Sequence, residues 1–277
     1  YGKKPLDLVF MIEHYDKNFK LDTGYYQRTG ISKFLGYIGP KFYPKSKKLS
    51  WIKRFNPFVY GFVIRDNITK KSDYLFFPSI RFSFSRQASL RIDYRMISEY
   101  WAGQDYKQSE VYLNGGSQFT KWLNGSISLR YGNRLYYDEE DPFTGKRLRL
   151  RLNARIQPSE KLSQDLGYTK EHFTRSSDET TIYDLDIFFS RTTFQFNKYL
   201  FFRALVQYDN YSKMVLTDLL GSFTLIPGTV IHVGYGSLHQ KQFWNNINNE
   251  WEPNSRMGKY YQQTRSFFFK ASYLYRF

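Results

Sequence analysis

The sequence predicts an all-β protein: a transmembrane, antiparallel outer-membrane β-barrel of about fourteen strands in this chain, whole or part of a larger barrel. Three observations predict it. Phe, Tyr and Trp make up 20% of the chain, yet the composition is polar overall, with 24% charged residues. Apolar and polar residues alternate with period two along most of its length. The chain closes on alternating aromatics and ends on Phe277.

The composition excludes several classes. A soluble core does not need so many rings, and a polar surface does not tolerate them. A barrel wall needs both, because one face meets lipid and the other meets water. The chain has no cysteine, so it has neither disulfides nor thiolate metal sites. Its formal charge is +16, but the basic residues are spread through the strands instead of clustering as a nucleic-acid footprint would. Nucleic acid is therefore not an expected partner, and no cofactor is expected. The apolar stretch from Leu219 to Gln240 is broken by Pro227-Gly228 and reads as two strands around a turn, not as a spanning helix. No secretory signal stands at Tyr1-Gly2-Lys3-Lys4. For an exported protein this is the sequence of a mature form or of a fragment without its N-terminus.

The alternation is clearest from Leu148 to Ile156. Leu148, Leu150, Leu152, Ala154 and Ile156 share one side; Arg149, Arg151, Asn153 and Arg155 share the other. On a helix these arginines would surround the cylinder, whereas on a strand they share a face. The same pattern sets Leu90, Ile92, Tyr94 and Met96 against Arg91, Asp93 and Arg95. It also sets Tyr183, Leu185, Ile187 and Phe189 against Asp184, Asp186 and Ser190. Strands are expected near 5–16, 31–43, 54–65, 73–86, 88–101, 108–120 and 125–137. Seven more are expected near 146–157, 161–173, 180–196, 199–211, 214–225, 229–240 and 265–277.

Tight connections are expected at Gln87-Ala88, Trp122 to Asn124, Pro158 to Glu160, Asn197-Lys198 and Pro227-Gly228. Longer ones are expected at Lys17 to Gly30, Gly103 to Lys107, Asp138 to Lys146, Arg175 to Glu179 and Gln242 to Thr264. Alternating short and long connections fit periplasmic turns and outer loops, and an even strand count puts both termini in the periplasm. The location read from this is the outer membrane of a gram-negative envelope, crossed many times. Residues 1–277 read as one barrel domain. Aromatics near strand ends, such as Tyr100, Trp101, Tyr136 and Tyr137, match the girdles at the headgroup level.

The last strand places Phe267, Phe269, Ala271, Tyr273, Tyr275 and Phe277 on one face. Such an ending resembles the signal read by the barrel assembly machinery, and Phe269, Tyr273, Tyr275 and Phe277 would carry it. Further pieces are the run LVQYDNYS from Leu205 to Ser212, the turn Pro227-Gly228, FFFKASYLYRF from Phe267 to Phe277, and LDTGYYQRTG from Leu21 to Gly30. On these the chain resembles the C-terminal barrel region of a large uncharacterised outer-membrane family. Its members usually carry an N-terminal carbohydrate-binding-like domain similar to the family 9 modules of xylanases. The resemblance implies a barrel. The module is absent here, so its sugar binding is not carried over.

No catalytic or metal constellation stands out. His14, His172, His232 and His239 lack metal-ligand spacing, and there is no G-x-S-x-G elbow. The acidic run Asp138-Glu139-Glu140-Asp141 lacks the spacing of a Ca²⁺ loop and reads as a solvated outer loop. Trp244 and Trp251, in an asparagine-rich segment, are candidates for an outer-loop ligand or partner contact.

The best-motivated candidates are charges expected to line the lumen by parity. They are Arg81, Arg91, Arg95, Arg130, Arg149, Arg151, Arg155 and Arg203, with Asp93, Asp184, Asp186 and Asp209. A basic excess along an aqueous path would favour anions; the same residues could equally fill the lumen as a charge ladder. Two functions stand open: a porin-like transport or channel component for small polar, anionic or saccharide solutes, and a structural or anchoring barrel displaying loops within a larger surface complex. An outer-membrane hydrolase is a third and weaker reading. The implied partners are outer-membrane lipid, the assembly machinery and proteins of an envelope complex.

Overall fold

The structure is a computed structural model that describes residues 5–21, 28–226, 228–245, 250–253 and 258–274, with only the backbone at 245 and 250–253. Alternating apolar and polar residues, rich in rings and β-branched side chains, form strands almost throughout. The first seven are β1 (Leu6–Tyr15), β2 (Ile31–Pro40), β3 (Ile52–Asp66), β4 (Ser72–Phe84), β5 (Ser89–Trp101), β6 (Gln104–Thr120) and β7 (Leu123–Tyr136). Then come β8 (Phe143–Ile156), β9 (Leu162–Arg175), β10 (Thr181–Gln195), β11 (Leu200–Asp209), β12 (Met214–Ile226), β13 (Thr229–Asn245), β14 (Glu250–Pro253) and β15 (Lys259–Ser272). One 3-10 turn, Lys47–Leu49, lies between β2 and β3.

The protein is all-β, and its strands form one antiparallel sheet. Strands follow one another in chain order from β1 to β14, and β15 returns to pair with β13. Each strand of such a meander needs only a local turn to find its partner. The fourteen expected strands are all present, and β14 is an addition. It is four residues long and lies inside the segment expected to be one loop, pairing Trp244 with Trp251 in register. Among the described residues no helix is long and apolar enough to cross a membrane.

Several connections differ from expectation. Gly103 to Lys107 is not a long loop: β5 ends at Trp101, β6 begins at Gln104, and these two residues pair in register. Ala102 (φ 45°) and Gly103 (φ 87°) make the two-residue turn between them, the geometry whose twist suits a hairpin. The turn after β4 centres on Arg86 and Gln87, not on Gln87-Ala88, and is closed by Ala88 N–H donating to the Ser85 carbonyl at 3.1 Å. Other turns are held by a side chain at the strand end. Asp66 accepts the amides of Ile68 and Thr69, Asn197 those of Tyr199 and Leu200, and Asp209 those of Tyr211 and Ser212, at 2.8–3.1 Å.

The chain forms two compact units. The first comprises 1–117, 127–149 and 173–182; the second comprises 118–126, 150–172 and 183–277. The distribution of burial within them inverts that of a soluble protein. In the first unit the buried side chains include Asn56, Asp66, Ser79, Asp93, Ser98, Gln108 and Glu110, against apolar Ile31, Phe58, Phe77, Leu135 and Phe173. Meanwhile Phe34, Phe76, Tyr94, Val111 and Tyr131 are exposed. In the second unit, Phe188, Phe202, Val206, Val233, Phe267 and Phe269 are exposed. Buried carboxylates with exposed rings are the reverse of the usual preference.

Candidate functional site

In the first unit the register brings the charges of β3 to β6 together. Phe58 pairs with Ser79, Arg81 with Arg91, and Arg95 with Glu110. Residues two apart share a face, so one side of this sheet carries Arg91, Asp93, Arg95, Glu110 and Tyr112. The other side carries Ile92, Tyr94 and Val111.

Two carboxylates organise the charged side. Asp93 is 1% exposed. Arg91 grips it with two parallel hydrogen bonds of 2.8 Å from Nε and Nη2. Arg95 Nη2 donates to it at 3.0 Å, and the Ser79 hydroxyl donates to it as well. Glu110 is 2% exposed and has four arginines around it. Arg147 lies at 3.3 Å, Arg95 at 3.5 Å, Arg130 at 3.8 Å and Arg134 at 4.0 Å. Rings cover the guanidiniums: Arg95 and Arg130 lie 4.4 and 4.9 Å from the centre of Tyr112, and Arg91 and Arg81 lie 5.1 and 5.3 Å from that of Phe58. An unpaired buried carboxylate would be strongly destabilising, and charge-assisted bonds with cation–π contacts offset that cost.

One backbone feature makes the cluster fit. Gly132 sits between Arg130 and Arg134, and a Cβ there would overlap the backbone of Ser109 and Glu110. Its missing side chain lets β7 lie close to β6.

Sequence parity brought out Arg81, Arg91, Asp93, Arg95 and Arg130 from this cluster. It missed Glu110, Tyr112, Arg134 and Arg147. The signal was present, since Arg134 shares parity with Arg130 and Arg147 with Arg149. Arg149 is half-buried in this unit.

The second unit arranges its charges differently. Asp165 bridges two arginines. Arg155 donates from Nε at 2.6 Å and Nη2 at 3.3 Å; Arg191 donates from Nη2 at 2.6 Å and Nε at 3.1 Å. Arg203 reaches Asp218 at 3.4 Å. The arginines reach solvent while the carboxylate beneath them is largely covered: the Arg155 side chain is 59% exposed and that of Asp165 is 19%. They line two adjoining hollows of about 520 and 360 Å³, which share Arg155, Gln157, Asp165 and Arg191. Trp122, Asn124 and Asn153 complete the larger one, and Phe201 and Arg203 the smaller. Arg151 is also exposed in this unit.

Two expected lumen residues stand on the other face, and a third is tied up in its own turn. Asp184 and Asp186 lie on the side of β10 opposite to Arg191. Their companions there are Phe188 and, across the pairing, Tyr168 and Tyr208. Asp186 accepts the Tyr168 hydroxyl at 2.6 Å, and Lys170 Nζ bridges Asp184 at 2.9 Å and Asp186 at 3.4 Å. Parity does not reveal this split because β10 carries rings on both faces, Tyr183 and Phe189 on one and Phe188 and Phe194 on the other. Asp209 shares the face of Arg203, but its carboxylate is bound by the amides of its own turn.

In the acidic run, Asp138 accepts the amides of Glu140 and Asp141, at 2.8 and 3.0 Å. The Asp141 and Glu140 amides hold the Asp138 carboxyl below the usual carboxylate range. Asp141 itself pairs with Arg175 at 2.7 Å. Among the described residues, no group of three or more His, Asp or Glu is placed to hold a metal.

At the far end, Phe267 and Phe269 on β15 are 74% and 69% exposed on one face. Tyr273 lies just past the strand and is exposed; Tyr275 and Phe277 lie outside the described residues. Trp244 is exposed near the end of β13.

No protein-family model matches the chain, and no curated protein matches it. Among solved structures it is similar to one described as the CymD monoaromatic hydrocarbon channel, with 10% identity and a TM-score of 0.29. The similarity covers 85% of this chain and 82% of that one. A likeness this distant carries neither a fold nor a solute.

Proposed function

We propose that this chain is the wall of an outer-membrane β-barrel, with its ring-bearing face toward lipid and its charged face toward an aqueous interior. It acts there as a transport or channel component for small polar or anionic solutes. The observation that carries the reading is the inverted burial: Asp93 and Glu110 are enclosed while rings such as Phe202, Phe267 and Phe269 are bare. In water those rings would drive aggregation, whereas against acyl chains they are satisfied. The basic excess on the charged face, from Arg91 through Arg203, favours anions in the path.

The periplasmic termini, the C-terminal assembly signal and the kinship with barrels that follow a carbohydrate-binding-like domain belong to the same proposal. One observation favours the structural reading for part of the wall. The arginine and carboxylate ladder of the first unit is packed with rings, which suits a filled wall better than a path.

The test is conductance of the purified protein in a planar bilayer. Stable open steps with anion preference support transport. A folded protein without conductance supports the anchoring barrel.

A further inference from the structure

We infer that the joined hollows of the second unit form a binding site for an acidic saccharide, a sugar chain bearing carboxylates. The inference rests on the charged face being the one that meets solute. Four cations, Lys121, Arg155, Arg191 and Arg203, line the two hollows against one carboxylate, Asp165. Asp165 fixes both of its arginines in place. It engages Nε and Nη2 of Arg155 and the same two nitrogens of Arg191. A guanidinium has five N–H donors, so each arginine keeps donors for a second carboxylate. The salt bridge thus preorganises a fork instead of consuming it.

The rest of the lining suits the rest of a sugar. Asn124 and Asn153 present amides that match hydroxyl groups, and Trp122 presents an exposed ring of the kind that stacks on the apolar face of a pyranose. A volume of about 520 Å³ falls within the ordinary range for small-molecule sites. Arginine forks and amides set beside the rings of Trp122, Phe189 and Phe201 fit an acidic sugar, with its charged edge and apolar face, better than a hydrocarbon or a bare inorganic ion.

The experiment is calorimetric titration of the detergent-solubilised full chain with trigalacturonate and, in parallel, with a neutral trisaccharide. Trigalacturonate should bind saturably and at least about tenfold more tightly, the worth of one charge-assisted pair, and the preference should shrink as salt is raised. Changing both Arg155→Gln and Arg191→Gln should remove the preference. Trp122→Ala should weaken both sugars alike, which checks the site even where the double variant folds poorly. Equal affinity for the two sugars, or no saturable binding of trigalacturonate, overturns the inference. A conducting protein that ignores trigalacturonate refutes this site and keeps the channel; a silent one that binds it keeps the site and refutes the channel.

Discussion

The two units solve the same problem, how to carry arginines on a strand face, in opposite ways. In the first, five arginines crowd two enclosed carboxylates, and Phe58, Phe77 and Tyr112 cover what remains. In the second, Asp165 holds Arg155 and Arg191 at the rim of an open hollow. Enclosure makes the first cluster a matter of stability, because a charge out of water depends on its partners. The exposed arginines make the second cluster available to solute, and water screens them, so less folding energy depends on this cluster than on the enclosed one.

The contrast breaks most readily at Glu110. Glu110→Gln should destabilise the protein by about 3–5 kcal/mol, the cost of breaking a buried charge network, measured by urea unfolding in lipid vesicles. A loss no greater than that at an exposed pair would remove the distinction between the units. Gly132→Val should follow, at roughly 1–3 kcal/mol, because its side chain would push β7 off the backbone of Ser109 and Glu110. Asp165→Asn sharpens the other side: within about 1 kcal/mol of wild type in the same unfolding assay.

The smallest effect is local and depends on pH. Asp138 sits below its ordinary pKa because it accepts two turn amides. A depressed carboxylate stabilises the turn above its unfolded pKa, and that contribution is lost as pH falls through the folded value. The protection of the Glu140 and Asp141 amides, taken relative to the intrinsic exchange rate at each pH, should therefore fall in acid. Asp138→Ala should abolish this acid-dependent loss of protection while leaving β7 protected.

Much of the fold was legible in the sequence because a strand's period of two survives in any environment that differs between its faces. Leu148 to Ile156 and Leu90 to Met96 showed it plainly. The connections were less legible, since a turn such as Arg86-Gln87 has no glycine or asparagine to announce it. Within the site, Arg91, Asp93 and Arg95 could be read directly because clean apolar neighbours flank them. Glu110 could not, because β6 carries Gln108, Glu110 and Asn114 in a strand also polar at Ser109 and Lys107. Asp184 and Asp186 stand on the face of β10 opposite Arg191, a split that parity does not reveal because β10 carries rings on both faces. Which arginines are enclosed and which are open depends on how neighbouring strands approach, as at Gly132, and pattern alone does not carry that.

The central claim is that one face of this sheet meets lipid and the other meets water. Because the chain has no native cysteine, single cysteines can be placed along β11 from Phe202 to Tyr208, spin-labelled and examined in lipid bilayers. The account predicts that Phe202, Ala204, Val206 and Tyr208 are accessible to oxygen dissolved in the bilayer. Arg203, Leu205 and Gln207 should instead be accessible to a water-soluble nickel complex. Uniform accessibility along the strand, or a protein stable in water with no bilayer or detergent, would contradict it.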